Sequence, residues 1–224
     1  MYVPSRFRED DRARQLEFMR QHSFALVVSA PPSGPVATHL PVTVDVVGDE
    51  VKVRGHFAKA NPQWRAMGSG ETLVVFSGPH AYVSPKHYDA LESVPTWNYL
   101  AVHAFGTGRV IHDAEENLRL LHELIEAHEP AYWLQWQALS ERYRQGMLGG
   151  IVGFEVDVVR IEGKAKLSQN KTEGEQRRIA SSLAVAADPL ARTVAEEMER
   201  RFAHPGEPSG RGEDADVRGG EDVH

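Results

Sequence analysis

Two short runs concentrate side chains that could contact a ligand. Residues 78–88 and residues 94–99 place histidine, tyrosine, tryptophan, serine and asparagine between glycines and prolines. Rigid turns that present aromatic faces and polar tips suit a flat, partly polar ligand. The alternative is a proline-rich segment whose aromatic rings only cover the sheet beneath them. The two runs are the first candidates for a ligand site.

A cationic strand face is the second candidate. Lys52, Arg54 and His56 alternate with apolar residues and so share one face of a predicted strand, and Lys59 and Asn61 follow it closely. Cationic donors beside a helix start can bind a phosphate group. A solvated strand face is the alternative, since exposed charges usually bind nothing specific.

A third polar run lies further along the chain, over residues 164–171. Its lysines are accompanied by Ser168, Gln169 and Asn170, whose side chains can donate to carbonyl or phosphate oxygens. We expect this run to follow the last strand of the sheet.

Other catalytic and metal-binding patterns are not formed. His122 and His128 are six residues apart, and Glu126 stands where a zincin helix would need its second histidine. Five further histidines lie on or beside predicted strands, but no spacing enforces a cluster, and we predict no metal site. These are His39, His56, His80, His87 and His103. The segment Gly68–Gly70 lacks the spacing of a serine nucleophile elbow. No residue is identified as a catalytic acid or base.

Composition limits the class of protein. The chain has 224 residues, 41% of them apolar, and no cysteine, which excludes disulfides and thiolate chemistry. No apolar run reaches the ~20 residues of a membrane span, and the N-terminus lacks a signal-peptide pattern, so we predict a cytoplasmic protein without membrane contact. The net charge of −7 does not favour non-specific binding to nucleic acid.

Strand patterns dominate the first two thirds of the chain. The predicted strands cover residues 24–30, 36–47, 50–57, 72–76, 97–112 and 151–161. Gly48-Asp49 predicts a tight turn, and Gly106 with Gly108 predicts a bulge or bend. Asn61-Pro62 marks the start of a short helix that Gly68 ends.

Helical patterns occupy the two ends and one insertion. Residues 10–22 predict a helix before the first strand. A capping-box pattern at Asp113–Glu116 opens a helix with Leu118, Leu121 and Ile125 on one face. Further helices are predicted over about 139–148, 172–187 and 188–202, and residues 204–224 predict a disordered acidic tail.

The order of these elements predicts a mainly β fold with α additions. Six strands in hairpin order, without a βαβ rhythm, favour a closed or nearly closed antiparallel barrel. No glycine-rich phosphate fingerprint of a Rossmann fold is present.

Six ordered motifs together resemble a known family. They are Met1–Phe7, Ala37-Thr-His-Leu-Pro41, Gly55-His-Phe-Ala-Lys-Ala-Asn-Pro-Gln-Trp64, Phe76-Ser-Gly-Pro-His-Ala-Tyr-Val-Ser-Pro85, Val94-Pro-Thr-Trp-Asn-Tyr99 and Lys166-Leu-Ser-Gln-Asn-Lys171. This set resembles the PaiB-type FMN-binding negative transcriptional regulators over roughly residues 1–203. The resemblance implies an FMN-binding split β-barrel, a homodimer with the flavin cleft at the subunit interface, and a role in repressing transcription.

The resemblance also assigns roles to residues in the matching motifs. Tyr82 and Trp97 would form a wall for the flavin ring, and cations would meet its phosphate. The full set of expected cofactor-binding residues is Thr38, His39, Arg54, His56, Lys59, Asn61, His80, Tyr82, Ser84, Trp97, Asn98, Lys166, Ser168 and Asn170. Two other functions remain open: a flavin-dependent oxidoreductase or flavin reductase, and a haem-handling barrel on the same fold.

The C-terminal helices bear on the regulatory role. We expect a barrel domain over residues 1–171, a helical pair over 172–203 and the tail beyond. The pair could form a helix-turn-helix, but its arginines are diluted by glutamates, whereas DNA-binding modules are usually clearly basic. The charge therefore favours a packing pair over direct binding of DNA.

Overall fold

The computed structural model describes residues 1–203, and the predicted acidic tail over 204–224 lies outside them. Seven strands form one sheet. They are β1 (Arg8–Glu9), β2 (Phe24–Ser29), β3 (Val36–Val47), β4 (Glu50–Ala58), β5 (Glu71–Val83), β6 (Thr96–Ile111) and β7 (Ile151–Lys166). Their order is β1-β7-β4-β3-β2-β5-β6. A further pairing between β7 and β6 closes the six longer strands into a barrel, with β1 as an extra strand. The predicted antiparallel barrel is confirmed.

Six α-helices accompany the strands in the described chain. They are α1 (Arg12–Gln21), α2 (Ala114–His128), α3 (Tyr132–Ala138), α4 (Glu141–Gly149), α5 (Glu173–Ala184) and α6 (Pro189–Ala203). Capping sets several of their starts. The Asp11 carboxylate accepts from the first backbone N–H groups of α1, and Thr172 with Glu175 forms a complete capping box on α5.

The described chain forms two compact units. The first unit comprises Met1, Glu9–Ser77 and Ala101–Gly163. The second unit comprises Tyr2–Arg8, Gly78–Leu100 and the residues from Lys164 onward. Neither unit is one continuous segment. The predicted division at residue 171 stays a prediction.

The hairpin of β3 and β4 shows how local sequence builds the first unit. Val47 pairs with Glu50 across a tight turn in which Gly48 has a φ of +62°, a backbone conformation that favours glycine. Period-two alternation then buries Val51, Val53 and Phe57 on the inner face of β4. These side chains join Phe76 and Phe154 in the core.

The second unit has its own apolar core. Ala81 and Val83 of β5 pack with Ala165 and Leu167 against α5 and α6. The helices contribute Ile179, Ala180, Leu183, Ala191, Val194, Ala195 and Met198. The apolar faces of the C-terminal pair are therefore used in packing, which agrees with the interpretation of the pair as a packing element.

Two predicted elements of the sheet differ from the structure. The expected loop over residues 78–88 is mostly strand, because β5 continues to Val83 and only the last residues form a turn. Glycine and proline suggested a turn there, but the alternation of exposed His80 and Tyr82 with buried Ala81 and Val83 is the period of a strand. Strand β7 likewise runs past Ile161.

The helical insertion was also predicted imperfectly. The helix α3 was missed, and α4 begins at Glu141, where the Ser140 hydroxyl caps it. In α2 the buried side chains are Leu120, Leu124 and Ile125, whereas Leu118 is 36% exposed. Both stripes have helical spacing, so periodicity alone does not decide which one faces the core.

Gly106 marks a close approach between strands. A Cβ atom at this position would lie 2.1 Å from the carbonyl oxygen of Asp157 in β7. Only a hydrogen atom fits in place of a side chain at this position. The glycine therefore allows β6 and β7 to approach each other closely.

Candidate functional site

The cationic face of β4 forms as predicted, but it is not free. Residues 52, 54 and 56 point away from the core, as the alternation requires. The antiparallel pairing of β4 with β7 sets Arg54 opposite Glu155 and Lys52 opposite Asp157. The Arg54 Nε donates to Glu155 Oε2 at 2.6 Å, and the Lys52 ammonium donates to Asp157.

Glu155 is the centre of this network. Its side chain is buried, with the residue only 2% exposed, and it also accepts from Arg109 Nε at 3.0 Å. Burial alone would raise its pKa, but the hydrogen bonds and charges of Arg54 and Arg109 outweigh burial and lower the pKa below its ordinary value. Glu155 is therefore ionised at neutral pH and neutralises the cations around it.

The remaining charges on this face extend the same network. Arg54 also pairs with Glu123 of α2 at 3.2 Å and with Asp45 of β3 at 3.5 Å. Burial lowers the pKa of His56, so this histidine is not a cation at neutral pH. Arg54 and His56 thus lack the free positive charge that a phosphate site needs.

The turn after β4 is built by three polar side chains. Asn61 caps the 3₁₀ turn Pro62–Ala66 by accepting from the Gln63 backbone N–H at 3.0 Å. Its Nδ2 donates to Thr38 Oγ1 at 2.9 Å, and the Thr38 hydroxyl donates to Gln63 Oε1 at 2.6 Å. The buried Gln63 amide also donates to the Val27 carbonyl. Thr38 and Asn61 therefore hold the turn in place.

The same segment presents exposed cations. The Lys59 backbone is held on both sides, since its N–H donates to the Gly150 carbonyl and its own carbonyl accepts from Trp64 Nε1. The Lys59 residue itself is exposed, and the Arg65 guanidinium lies 4.9 Å from the centre of the Trp64 ring. Unlike the face of β4, this turn offers positive charge to solvent.

His39 lies elsewhere in the first unit as half of a stacked pair. Its ring centroid is 5.9 Å from that of Phe24, with an interplanar angle of 23°. Both residues are exposed.

In the second unit, three predicted residues form one exposed aromatic surface. The rings of His80 and Tyr82, on β5, each lie 6.0 Å from the ring of Trp97, on β6. Tyr82 meets Trp97 edge to face, and the two residues are 52% and 53% exposed. Large aromatic residues so exposed leave apolar ring surface open to a ligand. We call His80, Tyr82 and Trp97 the aromatic surface.

The strands hold the aromatic surface by burying its neighbours. Ala81 and Val83 alternate with the exposed rings and lie in the core against α5 and α6. On β6, Asn98 follows Trp97 and is completely buried. Because alternate residues of a strand point to opposite faces, these buried neighbours fix the rings outward.

Asn98 and Ser168 are engaged with each other. The Ser168 hydroxyl donates to Asn98 Oδ1 at 3.0 Å, and Asn98 Nδ2 lies 3.6 Å from the Met198 sulfur. Ser168 has a φ of +64°, which is uncommon for a residue other than glycine. Both side chains are buried and serve the interior of the second unit.

Three other predicted residues lie in the second unit. Lys166 Nζ donates to Thr96 Oγ1 at 2.7 Å. Asn170 is exposed. The Ser84 hydroxyl accepts from the Lys86 backbone N–H and so caps the turn Pro85–His87.

That turn is fastened to α5 by residues that sequence reasoning missed. The Glu175 carboxylate accepts from the Asp89 backbone N–H at 2.9 Å while its other oxygen completes the capping box. The Arg178 Nε donates to the His87 carbonyl at 3.0 Å. The capping-box pattern of α5 was the one available signal, but it gave no hint of the distant turn.

Residues 1–203 contain neither a candidate metal cluster nor a helix that could span a membrane. No group of three or more histidine, aspartate or glutamate side chains in this part of the chain could hold a metal ion. No helix within the same range is long and apolar enough to cross a membrane.

Comparison with known proteins places the chain. A family model described as "Putative FMN-binding domain" matches residues 1–160. The chain is 39% identical over 205 residues to the Protease synthase and sporulation protein PAI 2 of Bacillus subtilis, covering 90% of this chain and 98% of that protein.

Solved structures share the fold at low identity. The flavocytochrome Anf3 from Azotobacter vinelandii superposes with a TM-score of 0.56 at 15% identity, covering 71% of this chain and 69% of that one. The FAD and haem binding protein from Mycobacterium smegmatis also gives 0.56, at 18% identity, covering 76% and 78%. The split-barrel fold expected from the sequence is thereby confirmed.

Proposed function

The chain belongs to the PaiB-type family of FMN-binding split-barrel proteins, with FMN as its cofactor, and we propose that the aromatic surface carries the flavin ring. The observation that supports this is the pair of half-exposed rings, Tyr82 and Trp97, which their buried neighbours set on the outer face of the strands. An isoalloxazine is flat and largely apolar, and an aromatic wall suits it.

The chemistry of such a site is divided between cofactor and protein. FMN, when bound, supplies one- and two-electron transfer. Tyr82 and Trp97 would exclude water from a ring lying on them, and His80 adds a polar group beside them. The role we propose for these residues is to bind and orient the ring.

Lys59 of the first unit stays a prediction as a phosphate contact, and Arg65 lies on the same segment. Their charges are exposed on a turn whose backbone is fixed by Asn61 and Gln63, so little ordering is needed before a phosphate binds. Thr38 then acts as a positioning residue for this turn through its hydrogen bonds.

Several residues expected to contact FMN receive another role in this proposal. Arg54 belongs to the network around Glu155, His56 is half-buried beside it with a lowered pKa, and Asn98 and Ser168 belong to the interior of the second unit. His39, Ser84, Lys166 and Asn170 stay predictions as cofactor contacts.

A titration of the purified protein with FMN tests the aromatic surface. Tyr82→Leu is expected to weaken FMN binding about tenfold, since stacking on one aromatic ring is worth roughly 1–3 kcal/mol. Tyr143→Leu is the matched control, because Tyr143 on α4 is 54% exposed and Tyr82 is 52% exposed. This control substitution should change the FMN affinity less than twofold. Equal affinities of Tyr82→Leu and wild type would refute the proposed ring site.

We further propose that the protein is a homodimer with the flavin cleft at the subunit interface, and that it acts on transcription, as its resemblance to the PaiB-type negative regulators implies. The cytoplasmic location stays a prediction. Light scattering after size-exclusion chromatography checks the dimer: a mass near 25 kDa, that of one chain, would contradict it.

The C-terminal pair supports an indirect effect on transcription. Residues 172–203 carry six acids against five arginines, a net charge of −1, and their apolar faces are buried. DNA-binding modules are usually clearly basic. We therefore expect no salt-sensitive, sequence-specific DNA binding by the purified protein; tight operator binding would show that the effect is direct.

A further inference from the structure

A groove in the second unit lies between the end of β5, the following turn and α5. Its volume is about 350 Å³, at the lower end of the range of about 300–1,000 Å³ typical of small-molecule sites. The lining residues are Tyr82, Val83, Ser84, Lys86, His87, Ile179, Ser182 and Leu183. Most of these residues are not among the proposed FMN contacts.

The groove has an apolar floor and a polar rim. Val83, Ile179 and Leu183 are buried core residues whose side chains form the floor. Two polar residues, Ser84 of the turn and Ser182 of α5, also line the groove. A few polar groups over an apolar base are the usual composition of a site for a small organic molecule.

The charge of the rim is positive. Lys86 is exposed at the groove. Burial lowers the pKa of His87, and the charges of Lys86 and Arg178 lower it further because both cations lie near the imidazole. The nearby carboxylates are already engaged, Asp89 with Arg178 and Glu175 with two backbone N–H groups.

The turn that carries the cation is held rigidly. Ser84 caps it, Arg178 donates to its His87 carbonyl, and Glu175 accepts from the N–H of Asp89 just beyond it. A site whose walls are already fixed needs little ordering when a ligand binds.

We propose that this groove binds a small amphipathic anion, an organic carboxylate with an apolar body, as a second ligand beside the flavin. The carboxylate would pair with Lys86 at the rim, and the apolar body would lie on the floor. Because Tyr82 lines the groove and also belongs to the aromatic surface, the ligand lies next to the proposed flavin ring. The proposal rests on the proposed function only in this adjacency.

Calorimetric titration of the FMN-loaded protein with 1-naphthoate tests the groove, with the neutral 1-naphthamide as the comparison probe. Naphthoate should bind at least fivefold more tightly than naphthamide. Lys86→Met should weaken naphthoate about tenfold, as expected for loss of one charge-assisted contact, and should leave naphthamide unchanged. Ser182→Trp, which fills the groove, should weaken both probes.

Two controls keep the outcome decisive. Arg142→Met removes an exposed charge from α4 in the first unit and should change naphthoate affinity less than twofold. The FMN affinity of Lys86→Met should stay within twofold of wild type. Failure of the proposed flavin site would instead appear in the FMN titration of Tyr82→Leu. The inference is overturned if naphthoate does not bind, if both probes bind equally, or if added FMN displaces naphthoate.

Discussion

Two strand faces of this protein look equally suitable as ligand sites in the sequence, but the structure engages one and exposes the other. The outer face of β4 in the first unit carries Lys52, Arg54 and His56, and its charges are saturated by carboxylates around Glu155. The aromatic surface of the second unit is left half-exposed. We place the proposed ligand site on the second face because its aromatic side chains are half-exposed, whereas the cations of the first face are already paired.

The network around Glu155 should give the largest effect when it is broken. Glu155→Gln removes the charge that faces three cations, and we expect the free energy of unfolding to fall by about 2–3 kcal/mol. This is less than the ~3–5 kcal/mol of a fully buried pair because Arg109 is nearly half exposed. Urea unfolding measures it. Glu50→Gln, at an exposed carboxylate 3.7 Å from Lys52, is the control and should cost less than ~0.5 kcal/mol.

The pH dependence of stability sharpens the same comparison. The pKa of Glu155 is lower in the folded chain than its ordinary value of 4.5, so its stabilisation is present above that value and is lost as the pH falls through the folded pKa. The difference in unfolding free energy between wild type and Glu155→Gln should therefore be constant from pH 5 to 7 and shrink below about pH 4.5.

The difference in unfolding free energy between wild type and Glu155→Gln isolates the contribution of Glu155 from those of other titrating groups. His56, whose pKa is lowered by burial, also reduces stability in acid, but it does so equally in both proteins. A gap that stays constant down to pH 3 would mean that Glu155 is not held ionised by its partners.

A smaller effect is expected at the exposed turn of the first unit. Lys59→Met should weaken FMN about fivefold to tenfold and leave riboflavin, which lacks the phosphate, unchanged. Fluorescence titration with both flavins measures this. Equal loss for the two flavins would assign Lys59 to the folded structure rather than to the phosphate.

Local sequence signals predicted most of the fold. Alternation placed β3 and the inward residues of β4 correctly, and the Asn61 and Thr172 caps opened their helices as expected. Errors arose where the same local sequence pattern is compatible with two different structures. Gly78 and Pro79 suggested a turn in what is strand β5, and α2 turned a different stripe of leucines to the core.

The candidate site was predictable in part. Tyr82 and Trp97 could be singled out because large aromatics between prolines are informative in themselves. The partners of Arg54 could not be found, because Glu155 lies about a hundred residues away and only the register of β4 against β7 brings them together. The same holds for Asn98, which Ser168 engages from seventy residues away.

One pair of titrations tests the central claim most directly. FMN affinity is measured for Trp97→Leu and Arg54→Met, at a temperature where near-ultraviolet circular dichroism shows both to be folded. The account predicts that Trp97→Leu binds FMN about tenfold more weakly than wild type. Arg54→Met should bind it within twofold, because its charge is already neutralised by Glu155. The reverse order would contradict the account and would place the flavin on the cationic face of β4.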